Sequence, residues 1–159
     1  MDHLVEELNN LLLEKEVRVV TAESCTGGML SSAITARAGS SNVFERGFVT
    51  YSNQSKEELL SVPKNIIDNY GAVSSQCAEF MVLGALDNSY ADIAVSITGI
   101  AGPARDADNK PVGLVYISTG VRGIEPIIAK CNFSGNRLEI RKAACEKALT
   151  LLIKTVNAI

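Results

Sequence analysis

The stretch Val17-Arg18-Val19-Val20-Thr21-Ala22-Glu23-Ser24-Cys25-Thr26-Gly27-Gly28, with Met29 to Ala36 after it, decides the fold. Val17 to Ala22 is short and rich in β-branched residues, the composition of a strand. Glu23 to Gly28 is turn chemistry, and from Met29 to Ala36 the chain resumes helical character with small residues. The segment reads strand, tight turn, helix.

Upstream, Leu4, Val5, Leu8, Leu11 and Leu12 recur at helical spacing between Asp2 and Lys15, with Glu6, Glu7, Asn9, Asn10 and Glu14 opposite them. That is an amphipathic opening helix. Downstream, Gly39 to Asn42 punctuates the chain, Phe44 to Tyr51 reads as a second strand, and Ser52-Asn53 offers the N-cap of a helix that carries Lys56. Pro63 to Tyr70 is a short helical piece ended by Gly71. Ser74-Ser75 with Glu79 starts a helix bearing Ala78, Met81, Val82, Ala85 and Leu86, which ends near Asn88. Ile93 to Thr98 is almost continuously apolar, as expected of a strand covered on both faces, and Gly99 to Pro103 ends it. Ala104 to Lys110 is a polar, exposed loop. Val112 to Gly120 and Ile124 to Phe133 form a hairpin around Arg122-Gly123. After Gly135-Asn136 comes a long helix with Leu138, Ala144, Cys145, Ala148, Leu149, Leu152 and Ile153 on one face. Early alternation and a late hairpin predict a three-layer α/β/α sandwich with a mixed, mostly parallel sheet.

The 159 residues, 47% of them hydrophobic, suit one compact domain over 1–159, and no linker or repeat divides them. With 15 basic against 18 acidic residues the net charge is -3, so no electrostatic footprint for nucleic acid or an anionic membrane exists. No apolar run approaches the ~20 residues of a membrane span, and the first residues are acidic where a secretion signal is basic. A cytoplasmic protein is expected. The cysteines at 25, 77, 131 and 145 show neither paired metal-ligand spacing nor disulfide density. The single histidine, His3, sits near a terminus, which disfavours a histidine base or a histidine-rich metal site.

Four places could carry chemistry. A strand-to-helix turn such as Glu23 to Gly28 exposes Ser24 beside helix N–H donors suited to an oxyanion or phosphate, although Ser and Thr also cap helices without chemistry. The run is neither a dinucleotide-binding fingerprint nor a P-loop. A serine nucleophile needs a base, and Lys56, following Tyr51 by about one helical turn, could meet it at the sheet edge if their strands are neighbours. A desolvated lysine loses proton affinity, whereas an ordinary Lys56 would be solvated and Tyr51 a plain strand aromatic. Thr98 and Gly99 end a buried strand where ligands often lie, or simply begin a Gly-Pro turn. Arg137 and Arg141, one turn apart, could fork onto a phosphate or stay in solvent. Cys25 reads as a buried structural thiol. Glu23 either orients Lys56 or caps the turn.

Taken together, Thr21 to Gly28, Phe44 to Asn53 with Lys56, Gly71-Ala72-Val73-Ser74, Gly99 to Pro103 and Lys110 to Gly113 resemble the CinA C-terminal domain family over nearly the whole chain. The resemblance implies a stand-alone nicotinamide-nucleotide amidase, hydrolysing nicotinamide mononucleotide to nicotinate mononucleotide and ammonia. It implies Ser24 as nucleophile, Lys56 as general base and Tyr51 assisting proton transfer. Thr98 and Gly99 would face the substrate, Thr26, Gly27 and Gly28 would donate to the oxyanion, and Arg137 with Arg141 would bind phosphate. Where the family usually reads Gly-Asp-Arg, this chain has Gly135-Asn136-Arg137, and Asn cannot pair with an arginine as a carboxylate does. Such a reaction needs neither metal nor organic cofactor. The expected partner is a small nucleotide, without nucleic acid or membrane, and a homo-oligomer is expected from the apolar terminal helices. The competing class is a non-catalytic nucleotide-binding or regulatory module in which Ser24 is only a cap.

Overall fold

A computed structural model describes residues 1–159. In chain order the elements are α1 (Asp2–Lys15), β1 (Val19–Glu23), α2 (Met29–Thr35), β2 (Phe44–Val49), α3 (Asn53–Leu60), α4 (Lys64–Tyr70), α5 (Ser75–Asp87), β3 (Ile93–Gly99), β4 (Leu114–Val121), β5 (Ile127–Asn132) and α6 (Arg137–Asn157). A single 3-10 turn, Ser40–Asn42, precedes β2. The five strands form one sheet in the order β2-β1-β3-β4-β5. β1 pairs in parallel with both β2 and β3, while β4 runs antiparallel to β3 and to β5, so four strands share one direction and β4 opposes them.

The alternation along β1 separates the two helical layers. Val19 joins Leu8, Leu12, Leu30, Ile140 and Leu149 in the core beneath α1, α2 and α6. Val20 and Ala22, pointing the other way, join Leu60, Ile67, Met81 and Val82 beneath α3, α4 and α5. β1 is buried throughout and β3 nearly so, whereas β2 and β5, the sheet edges, are half exposed. The architecture is thus the three-layer sandwich expected from the sequence. No helix is long and apolar enough to cross a membrane.

Local chemistry sets the helix starts. Ser52 accepts from the Ser55 N–H, and Ser74 accepts from the Cys77 N–H, so Glu79 has no part in that cap. Asn136 and Glu139 form a reciprocal capping box at α6. Two strand starts lie later than expected. Gly113 has φ of 93°, and an added Cβ would lie 2.0 Å from the Phe133 carbonyl, so β4 begins only at Leu114. Ile124 and Pro126 lie in the hairpin turn before β5, with the Ile124 N–H closing on the Val121 carbonyl.

The connections place a cleft. The β1–β2 crossover runs through α2 on one face, while the β2–β3 crossover runs through α3, α4 and α5 on the other. The chain therefore leaves in opposite directions around β1 and β3, a switch point that opens a crevice at the carboxyl ends of these strands.

Helix α5 approaches the end of α3 closely. A Cβ built on Gly84 would lie 1.9 Å from the Leu60 carbonyl oxygen. Gly to Ala within a helix ordinarily stabilises by about 1 kcal/mol. Here Gly84→Ala is expected to destabilise by about 1–3 kcal/mol through overpacking, read from the urea unfolding midpoint. An unchanged or raised midpoint would contradict this packing.

Candidate active site

Ser24 follows β1 directly, its N–H donating to the Ile97 carbonyl of β3 at 3.0 Å. On the other side the Thr50 N–H donates to the Glu23 carbonyl at 2.9 Å, which fixes the segment leading from β2 into α3. Lys56 comes in from α3 and is 1% exposed. Its Nζ lies 2.9 Å from Ser24 Oγ, 2.7 Å from the Thr50 carbonyl and 3.2 Å from the Tyr51 carbonyl. It takes part in no ion pair. Burial, opposed only by the Cys77 and Cys25 thiols, holds the amine below the ordinary lysine range.

The geometry matches the valence of an uncharged amine. An ammonium has three N–H donors, and a neutral amine has two and a lone pair. Two neighbours of Nζ are carbonyls that can only accept, so once neutral the amine keeps both N–H groups on them and turns its lone pair to the Ser24 hydroxyl.

Glu23 does not orient Lys56. Its fully buried carboxylate accepts from Thr26 Oγ1 (2.7 Å), the Leu30 and Ser31 N–H groups (2.9 and 3.0 Å) and Ser31 Oγ (2.6 Å). This replaces one expectation, because these N–H donors of α2 are spent on Glu23 rather than held open for a ligand anion. Cys25 is a protonated thiol at neutral pH, since burial pushes it up to about 11.

A cleft of about 330 Å³ opens beside Ser24, lined also by Cys25, Tyr51, Asn53, Lys56, Ala72, Val73, Thr98, the Gly99 to Ala104 turn, Asp106 and Arg137. Its volume is near the lower end of the ~300–1,000 Å³ range of small-ligand sites. Thr98 is anchored through Oγ1 to the Ala72 carbonyl at 2.8 Å. Gly99 is required by β4 as well as by the cleft, for a Cβ there would lie 2.6 Å from Val115 Cγ2. Tyr51, 60% exposed, receives a hydrogen bond from Arg137 Nη2 at 3.0 Å, and Arg137 Nη1 donates to the Gly102 carbonyl at 2.7 Å. Asn136 accepts from the Glu139 N–H, a capping role that Asn and Asp fill equally well, so the departure from Gly-Asp-Arg leaves the start of α6 intact.

The structure therefore brings Ser24, Lys56, Tyr51, Thr98, Gly99 and Arg137 to one cleft. Thr26, Gly27, Gly28 and Arg141 lie outside its lining. Thr26 Oγ1 is bound to Glu23, the Gly27 N–H closes a turn on the Ser24 carbonyl, and Gly28 caps α2. Arg141 binds the Cys25 and Thr26 carbonyls, each at 3.0 Å, and no phosphate role for it is visible in this geometry. Asp106, within the loop expected to be exposed, is a cleft residue that the sequence does not single out. Lys110 explains its presence, donating from Nζ to the Tyr70 and Val73 carbonyls (2.7 and 2.6 Å) while its N–H is held by Asp106 Oδ1 at 2.8 Å. The signal available in the sequence was the position of the loop, directly after the carboxyl end of β3.

Fold and cleft define the class: a three-layer α/β protein with a buried serine–lysine contact at a parallel-strand switch point. The chain belongs to the CinA C-terminal domain family, whose model matches residues 1–156. It is 47% identical over 154 residues to a putative competence-damage inducible protein of Caldicellulosiruptor bescii, covering 96% of this chain but only 37% of that protein. It is 44% identical to a protein of Enterobacter agglomerans named nicotinamide-nucleotide amidohydrolase PncC, covering 97% of this chain and 94% of that one. Among solved structures, the competence/damage inducible protein CihA of Agrobacterium tumefaciens superposes with a TM-score of 0.93 at 42% identity, covering 98% of this chain and 94% of that chain. A CinA superfamily protein of Klebsiella pneumoniae gives 0.96 at 31% identity, covering 99% and 98%.

The depressed Lys56 has a thermodynamic signature. The folded chain releases this proton at lower pH than the unfolded chain, so the unfolded state binds more protons in the intervening window. Stability from this group therefore rises with pH, up to the ordinary lysine value of about 10.4, and is lost as pH falls. Comparing thermal midpoints of wild type and Lys56→Met between pH 7 and 10, the difference should move in favour of wild type as pH rises. A constant difference would show that Lys56 titrates as it does in the unfolded chain.

Proposed function

We propose that this chain is an amidohydrolase that converts the carboxamide of nicotinamide mononucleotide to the carboxylate of nicotinate mononucleotide and releases ammonia. One observation carries the reading: an unpaired, desolvated lysine amine lies 2.9 Å from the hydroxyl of a serine that lines a ligand-sized cleft. The relative named nicotinamide-nucleotide amidohydrolase, 44% identical along nearly the full length of both chains, supports the choice of substrate.

Ser24 Oγ attacks the carboxamide carbon as its proton passes to the Lys56 lone pair. The carbonyl π electrons move to oxygen, giving a tetrahedral intermediate with an oxyanion. As that intermediate collapses the C–N bond breaks, and Lys56 returns the proton to the departing nitrogen, which leaves as ammonia. Water then attacks the acyl ester of Ser24 with Lys56 again as base, giving the carboxylate and free serine. Proton transfer by a positioned base contributes about 10²–10⁴-fold. Tyr51 assists from the cleft wall, because the Arg137 N–H occupies its phenol oxygen as an acceptor and leaves its O–H free to be turned to the substrate. Arg137 uses two donors on Gly102 and Tyr51. The rest of its guanidinium is available to the substrate phosphate.

The test is ammonia release by purified protein. Ser24→Ala and Lys56→Met should each lower kcat at least about 1,000-fold, while calorimetric binding of the nucleotide survives within a few-fold. Wild-type kcat/KM should climb with pH along a limb whose midpoint lies below the ordinary lysine value, since only the neutral amine accepts the serine proton. Nucleotide binding without turnover in wild type, or undiminished release by Ser24→Ala, would overturn the reading.

Arg137→Ala should raise KM about 10- to 100-fold with a much smaller change in kcat, because a charge-assisted bond to phosphate persists through the reaction. Unchanged kinetics would remove Arg137 from the phosphate site.

A further inference from the structure

We propose that Arg141 is a positioning residue for the nucleophile turn, holding the backbone that follows Ser24 so that the serine hydroxyl stays seated on Lys56 at the cleft. The role of Ser24 here rests on the amidohydrolase reading above. Arg141 stands on α6 one turn beyond Arg137, yet it lies outside the cleft lining, on the far side of the turn that follows Ser24. Its Nε donates to the Cys25 carbonyl and its Nη2 to the Thr26 carbonyl, each at 3.0 Å. Two successive carbonyls are thus gripped by two nitrogens of one rigid plane, which a lysine ammonium cannot reproduce. Gly27, at φ of 56°, lies under the same guanidinium, its ideal Cβ position 3.6 Å from Nη2.

The consequence follows from the planarity of the peptide. In a trans unit the C=O and the next N–H point in opposite directions, so fixing the Cys25 carbonyl on Arg141 sends the Thr26 N–H away from it. The Ser24 carbonyl is likewise fixed, by the Gly27 N–H at 3.0 Å, which orients the Cys25 N–H. With the Ser24, Cys25 and Thr26 carbonyls all held, the three peptide planes after the nucleophile are fixed, and Ser24 Oγ keeps its 2.9 Å contact with Lys56 Nζ.

The test compares wild type with Arg141→Lys and Arg141→Gln by two readouts. The first is kcat and KM for nicotinamide mononucleotide and for its dephosphorylated nucleoside. The second is the rate at which a fluorophosphonate labels Ser24, which forms the Oγ–P bond, expels fluoride and passes the serine proton to Lys56 without requiring the amide substrate. A displaced reacting group costs on the order of 100-fold. Both variants should therefore lose about 100-fold in kcat and in labelling rate, with KM within about two-fold and the same loss for nucleotide and nucleoside. The pH limb of Lys56 should stay in place in both variants, which a general disturbance of the fold would shift, and thermal midpoints identify a variant that does not fold.

Wild-type labelling in both variants, or a raised KM with kcat retained and the loss confined to the phosphorylated substrate, would overturn the proposal and return Arg141 to phosphate binding. Wild type labelled at Ser24 but silent toward the nucleotide would sink the substrate reading and leave Arg141 decided by labelling alone. Wild type that resists labelling would overturn both.

Discussion

Everything at this site depends on keeping one lysine amine out of water with nothing to hold it charged. Lys56 Nζ has three polar neighbours, two carbonyl oxygens and the Ser24 hydroxyl, and no carboxylate. The same three neighbours satisfy either protonation state: an ammonium donates to all of them, and a neutral amine donates to the carbonyls and accepts from the serine. A proton can therefore pass between Ser24 and Lys56 without either side chain leaving its place. Desolvation supplies the remaining condition by bringing the amine closer to neutrality at working pH.

The sheet enforces this arrangement through its alternation. Ala22 points into the α3–α5 layer, and Glu23, one residue on, points to the opposite layer beneath α2. Lys56 arrives from the first of these layers and Glu23 is spent in the second, so the one carboxylate adjacent in sequence to Ser24 is kept from the amine. Were the two paired, the lysine would remain charged, and the proposed reaction would lack its base. The parallel pairing of β1 with β2 and β3 brings Ser24, Thr50 and Thr98 to the same sheet end, and reversal of the crossovers around β1 and β3 opens the space between them.

Much of this was legible in the sequence because it is written in short-range patterns. Apolar periods fixed α1 and α6, a run without alternation marked β3 as covered on both faces, and Ser52, Ser74 and Asn136 announced helix starts. The resemblance to the family drew Ser24, Lys56 and Tyr51 together, which their spacing alone did not. A lysine on a polar eight-residue helix reads as solvated, and its burial was signalled only by Leu60 four residues later on the same face. The place of Glu23 is open in the sequence because three of its four donors lie seven and eight residues ahead and meet it only when α2 closes. The backbone partners of Arg141 were illegible for a similar reason. Its carbonyl partners are 116 and 115 residues away, and no local pattern distinguishes an arginine that grips backbone from one that grips phosphate.

The account is tested most directly by observing the lysine amines themselves, through a pH titration of Nζ resonances in protein labelled with ¹⁵N at the lysine side chains, using Lys56→Met for assignment. It predicts one amine, missing from the variant, that loses its proton well below the ~10.4 of an ordinary lysine. A Lys56 resonance that titrates with the surface lysines would contradict it.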